Sequence, residues 1–170
     1  MSPRSAAAWI EDLGLLPHPE GGYYRETHRS PGEIGSESLP PTMQGSRSYV
    51  TAIYYLLEAG QVSRFHRICS DELWFFHSGD PLEIVMLNED GALSQILLGP
   101  GGDFGQRLQA VVPAEAWFGA RPLGGFAGYA LVSCVVAPGF SFEDFQLASP
   151  EDLQKWPNLG QVPELCPPLH

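Results

Sequence analysis

A chain of 170 residues, 44% of them hydrophobic, has the length of one domain and enough apolar content for one sizeable core. Nineteen glycines and sixteen prolines, with no glycine period and no low-complexity tract, exclude collagen-like and disordered classes and point to a turn-rich all-β protein. Twenty acidic residues face nine basic ones (Lys155 and eight scattered arginines), a formal charge of −11 that excludes nucleic acid and anionic membrane surfaces as partners.

Residues 5–13 read as a short helix capped by Ser5 and ended by Gly14, with Trp9, Ile10 and Leu13 on one side. The run Pro17-His18-Pro19-Glu20-Gly21-Gly22 forbids regular structure, and a strand resumes over 23–29. Residues 30–46, polar and rich in Gly, Pro and Ser, read as a long exposed loop, the best candidate for disorder or a lid. Short strands then follow at near-regular spacing over 49–57, 62–68, 72–78, 82–88, 93–98, 108–112, 116–120, 128–136 and 142–147. Turns such as Asn88-Glu89-Asp90-Gly91 and Pro138-Gly139 separate them, a pattern that suggests a sandwich or barrel. Residues 149–156 read as a closing helix with Ser149 as N-cap and Pro150 at its first position, and the tail from Pro157 packs extended or frays.

No internal repeat is visible, so residues 1–170 read as a single domain. The longest apolar stretches, such as 129–138, fall short of the ~20 residues that span a bilayer, and residues 1–10 lack the apolar region of a secretory signal. Cys69, Cys134 and Cys166 are odd in number and lack metal-ligand spacing, which reads as free thiols in a reducing cytoplasm.

The window from Gly60 to Gly79 carries the chemistry. A strand puts residues i and i+2 on one face, so Arg64, His66 and Ile68 share a direction, as do Glu72, Trp74 and Phe76 after the turn at Cys69-Ser70-Asp71. A histidine and a glutamate can thus meet inside a small barrel. His77 has the opposite parity and reaches a ligand only where a bulge re-aims it. The window resembles the first cupin motif: Gly60, His66, Glu72 and Gly79 match at the family spacing, while Ile68 replaces the second histidine. The second cupin motif is half present, with Pro113 in place, Glu115 where glycine is expected, Phe118 where the last metal-binding histidine would stand, and Pro122 in the asparagine position.

A wider resemblance runs from residue 13 to about 147, through Pro17-His18-Pro19-Glu20-Gly21-Gly22, Thr51-Ala52-Ile53-Tyr54-Tyr55, Phe65-His66-Arg67-Ile68, Val112-Pro113-Ala114 and Ala137-Pro138-Gly139-Phe140. It is similar to a small, largely uncharacterised cupin family. The resemblance implies a double-stranded β-helix, or jelly-roll barrel, with short terminal helices, a pocket inside the barrel and a homodimeric assembly. It supplies no reaction.

Three functions remain open. In the first, the barrel binds a small polar metabolite of the sugar or nucleotide-sugar type without a metal, and epimerises or isomerises it. His66 is then the general base, Glu72 fixes its tautomer, Arg64 and Gln109 supply polar contacts, with His77 a further ligand contact, and Trp74 and Trp117 form walls. In the second, a metal-dependent oxygenase or isomerase uses His66 and Glu72 as ligands, although two protein ligands hold a transition metal weakly. In the third, the protein binds a small molecule without catalysis. His18 and Glu20 are accounted for by turn architecture, with a cover over a neighbouring subunit's barrel mouth as the functional alternative.

Overall fold

The computed structural model describes residues 4–102 and 105–166. Helix α1 (Ala6–Leu13) begins at Ser5, whose hydroxyl accepts from the Ala8 amide, and ends at Gly14 in the left-handed region. The strands are β1 (Leu16–Pro17), β2 (Tyr23–Arg29), β3 (Glu33–Ile34), β4 (Arg47–Ser48), β5 (Thr51–Glu58), β6 (Ser63–Arg67) and β7 (Asp71–Gly79). They continue as β8 (Leu82–Leu87), β9 (Leu93–Leu98), β10 (Gln109–Val112), β11 (Trp117–Pro122), β12 (Tyr129–Ala137) and β13 (Gln146–Leu147), before helix α2 (Pro150–Lys155). A six-stranded sheet in the order β1-β2-β5-β12-β7-β10 faces a five-stranded sheet in the order β13-β6-β11-β8-β9, with β3 and β4 forming a separate ribbon. The expected all-β barrel is thus realised, with short helices at both ends.

Alternation along the strands sorts the side chains. Tyr55, Leu57, Trp74, Ile84, Phe118, Val132 and their neighbours pack between the sheets. On the outer side of the six-stranded sheet, α1 covers Leu56 and Leu131, and the Trp9 indole N–H donates to the Tyr129 hydroxyl at 2.9 Å.

Three segments differ from the sequence reading. The tail does not fray: Pro157–Gln161 and Pro163–Leu165 wind into 3-10 turns whose Leu159, Val162 and Leu165 bury against Phe65, Val85 and Leu87 on the outer face of the five-stranded sheet. Residues 167–170 of that tail lie outside the described residues. The 30–46 stretch is not a bare loop, because β3 pairs with β4, Ser36–Ser38 makes a 3-10 turn and Met43 is buried. Within 142–147, Phe142–Asp144 is a 3-10 turn and only Gln146–Leu147 pairs as strand. Glu115, standing where the motif expects glycine, has φ +64°, the left-handed conformation that glycine adopts without strain.

Because Leu165 is fully buried, Leu165→Ala should lower stability in urea by about 2–4 kcal/mol. A loss within ~0.5 kcal/mol, the usual range for a surface change, would return the tail to a frayed segment.

Candidate functional site

A cavity of about 680 Å³ opens at one end of the barrel. His66, Glu72, Cys134, Ile53 and Ile68 line it from the sheets, together with His18 and Glu20 from the Pro17–Gly22 turn. The β3–β4 ribbon and the segment 140–145 form its lips. Its size falls within the usual range for small-molecule sites.

The turn enters the barrel because two glycines let it. Gly21 has φ +121°, and a Cβ there would meet the Val62 carbonyl oxygen at 2.1 Å; one on Gly22 (φ +73°) would meet the Leu56 carbonyl oxygen at 2.6 Å. Main-chain bonds seat the turn: the His18 amide donates to the Gly22 carbonyl, the Arg64 amide to the Glu20 carbonyl, and the Tyr55 hydroxyl to the Gly21 carbonyl. Glu20 Oε2 then lies 3.1 Å from His66 Nε2.

The other ring nitrogen, Nδ1, is 2.7 Å from the Arg64 carbonyl oxygen, which can only accept, so Nδ1 carries a proton. Burial lowers the pKa of His66 and raises that of Glu20, each toward its neutral form. Burial thus disfavours both the imidazolium and the carboxylate, and with Nδ1 protonated the bare Nε2 faces Glu20 Oε2 at hydrogen-bond distance. On the other side of the turn, the Glu20 amide donates to His18 Nδ1 at 3.2 Å, which places the His18 proton on Nε2. Burial also holds the His18 pKa below its usual value. The His18 ring stands edge-on to Tyr24 at 4.6 Å.

Glu72 is buried beside the Trp74 indole and the Cys134 thiol, and burial pushes its pKa up to about 7. It shares the cavity with His66 but makes no ion pair with it among the described residues; the expected His66–Glu72 hydrogen bond is replaced by Glu20 and the Arg64 carbonyl.

Other expected contacts lie elsewhere. The β6–β11 register pairs Phe118 with His66 but Ala120 with Ser63, so Arg64 and Phe65 together oppose Gly119. This bulge takes the Arg64 side chain off the cavity wall. Trp74 points inward yet packs edge-on against Tyr55 and Phe118, behind the cavity lining. Trp117 faces outward, with the Arg67 guanidinium 4.9 Å above its ring, because Phe118 takes the inner position. Gln109 is exposed while Ala110 and Val112 point inward. His77 is the extra residue of a bulge in β7 and lies exposed on the outer face, its Nε2 2.5 Å from the Ser133 hydroxyl. The aromatic wall is instead Tyr24, Phe140, Phe142 and Phe145. The sequence does not mark these aromatic residues. His18 and Glu20, which turn architecture explains from the sequence, line this same chain's cavity, and their signal is a histidine and a glutamate two apart in a turn whose paired glycines imply close backbone approach.

The residues do not fit a metal. Both nitrogens of His66 are engaged, Ile68 and Phe118 occupy two ligand positions of the cupin pattern, and Phe118 packs 4.2 Å from the His66 ring. Among the described residues, no three His, Cys, Asp or Glu side chains are arranged to hold an ion.

A family model described as Cupin superfamily (DUF985) matches residues 7–148. An uncharacterised protein of Saccharomyces cerevisiae is 32% identical over 160 residues, covering 88% of this chain and 78% of that protein. A solved protein from Shewanella oneidensis is 37% identical with a TM-score of 0.84, covering 98% of this chain and 100% of that one. A hypothetical protein from Leishmania major is 36% identical with a TM-score of 0.80, covering 91% and 94%.

The raised pKa of Glu72 has a sign that can be measured. The folded state holds this proton more tightly than the unfolded chain, so the associated stability is complete below about pH 4.5, declines as pH rises toward 7, and is lost above it. Wild type should therefore lose roughly 2–3 kcal/mol more than Glu72→Gln between pH 5 and pH 8 in urea unfolding. Parallel pH profiles for the two proteins would contradict the assignment.

Proposed function

The chain belongs to the DUF985 family of the cupin superfamily, and from that premise we propose that its barrel binds a small polar metabolite of the sugar type and isomerises or epimerises it by metal-independent proton transfer. The observation that carries this reading is two separate sets of titratable groups on one cavity: Glu72, and the Glu20–His66 pair in contact at 3.1 Å. Glu72 titrates near neutral pH, where a general base combines availability with basicity. It takes the proton from the carbon next to a carbonyl, and the Glu20–His66 pair donates its proton to the carbonyl oxygen, giving a neutral enediol. Protonated Glu72 then returns its proton to carbon, at the neighbouring position or on the other face after the enediol turns in the site. An enediol hydroxyl gives its proton back to the Glu20–His66 pair and the carbonyl re-forms, completing an isomerisation or an epimerisation. His66 thus becomes part of the acid, and Glu72 the base, a reversal of the roles expected from spacing alone.

Two further properties belong to this proposal. The outer face of the six-stranded sheet beyond α1 exposes Val111 beside half-buried Leu73, Phe75 and Val135, a surface suited to a homodimer. Three unpaired cysteines fit a reducing, cytoplasmic setting. No helix among the described residues is long and apolar enough to cross a membrane. Light scattering should give the mass of two chains, and Val111→Glu should give that of one; a wild-type monomer would remove the dimer.

The proton transfer is read directly by incubating the protein with free aldoses and ketoses in D₂O and following deuterium at the carbon next to the carbonyl by NMR. Wild type should exchange, while Glu72→Gln and His66→Gln should each be slower by ~10²–10⁴-fold. Binding without exchange would make the protein a non-catalytic carrier. Exchange undiminished in both variants would assign the chemistry to other groups.

A further inference from the structure

We infer that the cavity selects an uncharged polyhydroxylated ligand and rejects phosphorylated or nucleotide-linked forms of it. The inference rests on the reading of this cavity as the ligand site and names the class of compound it takes.

Arg29 and Arg47 line the cavity, and both are committed. Arg29 Nε and Nη2 donate to the two Glu26 carboxylate oxygens at 3.0 and 2.7 Å, and Nη2 also reaches the Phe140 carbonyl at 3.1 Å. Arg47 is buried and grips Asp144 through Nε and Nη2 at 2.8 and 2.7 Å, while its Nη1 donates to the Gln44 and Ser46 carbonyls. Glu143 adds a second carboxylate 3.5 Å from Arg47. A phosphate entering the cavity finds both guanidiniums already paired, and phosphate recognition relies on such forks being available.

The anions point the same way. Glu33 and Glu72 also line the cavity, and Glu72 has no cationic side chain in ion-pair contact among the described residues. A like charge held within about 6 Å of a carboxylate, at the dielectric of a partly exposed site, weakens binding by roughly a hundredfold. Arg64, the residue on which a phosphate-bearing ligand would have depended, is turned off the wall by the β6 bulge. Against this, hydroxyl groups suit the same surface. They donate to carboxylates such as Glu33, which already accepts from the Ser46 hydroxyl at 2.7 Å, and C–H faces of a sugar ring lie against Tyr24, Phe140, Phe142 and Phe145.

The test is a matched panel of free monosaccharides and polyols, their 1- and 6-phosphates, and their UDP-linked forms, with affinities from ligand-observed NMR at pH 7.5 and low salt. At least one uncharged compound should bind, its phosphate esters should bind about a hundredfold more weakly, and Glu72→Gln should narrow that gap at least tenfold. Phe142→Ala, at an exposed position on the lip, should weaken the uncharged ligand and so locate it in this cavity. A phosphate ester or UDP-sugar binding as tightly as its free counterpart overturns the inference, as does a panel in which no uncharged compound binds. Deuterium exchange on whichever compound binds separates the two claims. Selective binding without exchange removes the catalytic reading and keeps the charge selection; exchange on a phosphorylated ligand does the reverse.

Discussion

Withdrawing the Glu20 carboxyl from water is the constraint on which the site depends. A buried carboxyl needs a hydrogen-bond partner and disfavours charge, and His66 answers the first need while neutralisation answers the second. To bring the two together the chain must drive a turn into the end of a closed barrel, which only glycine at 21 and 22 permits. The Arg64 amide, bonded to the Glu20 carbonyl, comes from the bulged stretch of β6. That bulge removes the Arg64 side chain from the cavity. The double glycine, the strand irregularity and the loss of a cavity cation are thus parts of one arrangement.

The acidic balance of the whole chain reappears at the scale of the cavity. The two arginines that reach it join neighbouring segments rather than face a ligand: Arg29 ties β2 to the Phe140 carbonyl, and Arg47 ties the β3–β4 ribbon to the 3-10 turn at Phe142–Asp144. Their role is architectural, holding the two lips of the opening at a fixed separation around the aromatic wall. Because the Arg47–Asp144 pair is buried and bidentate, it is little screened by salt, unlike the exposed pairs elsewhere on the surface.

Much of this was legible in the residues. Strands 23–29 and 93–98 form with the boundaries their patterns imply, Ser5 and Gly14 bound the first helix, and His66 and Glu72 come to one cavity because each stands on the stretch of its strand beyond the bulge. What failed to show has physical reasons. Trp117 and Phe118 are adjacent and both aromatic, so alternation alone leaves open which one faces in; β10 has the same ambiguity, since Val111 and Val112 are equally apolar. The tail looked unstructured because proline excludes an α-helix there, yet Leu159, Val162 and Leu165 recur every third residue, the period of a 3-10 turn. Glu20 meets His66 only through the tertiary path of the turn, which no local pattern encodes.

The way the Pro17–Gly22 turn is fastened separates scaffold from chemistry. Its seat in the barrel is made by peptide groups, with the Arg64 amide and the Tyr55 hydroxyl both gripping main-chain carbonyls. The Glu20 side chain projects from that seat without forming it, whereas the His18 ring helps to form it by accepting the Glu20 amide. A substitution at position 20 can therefore change the acid of the cavity while the main-chain seat of the turn stays as it is.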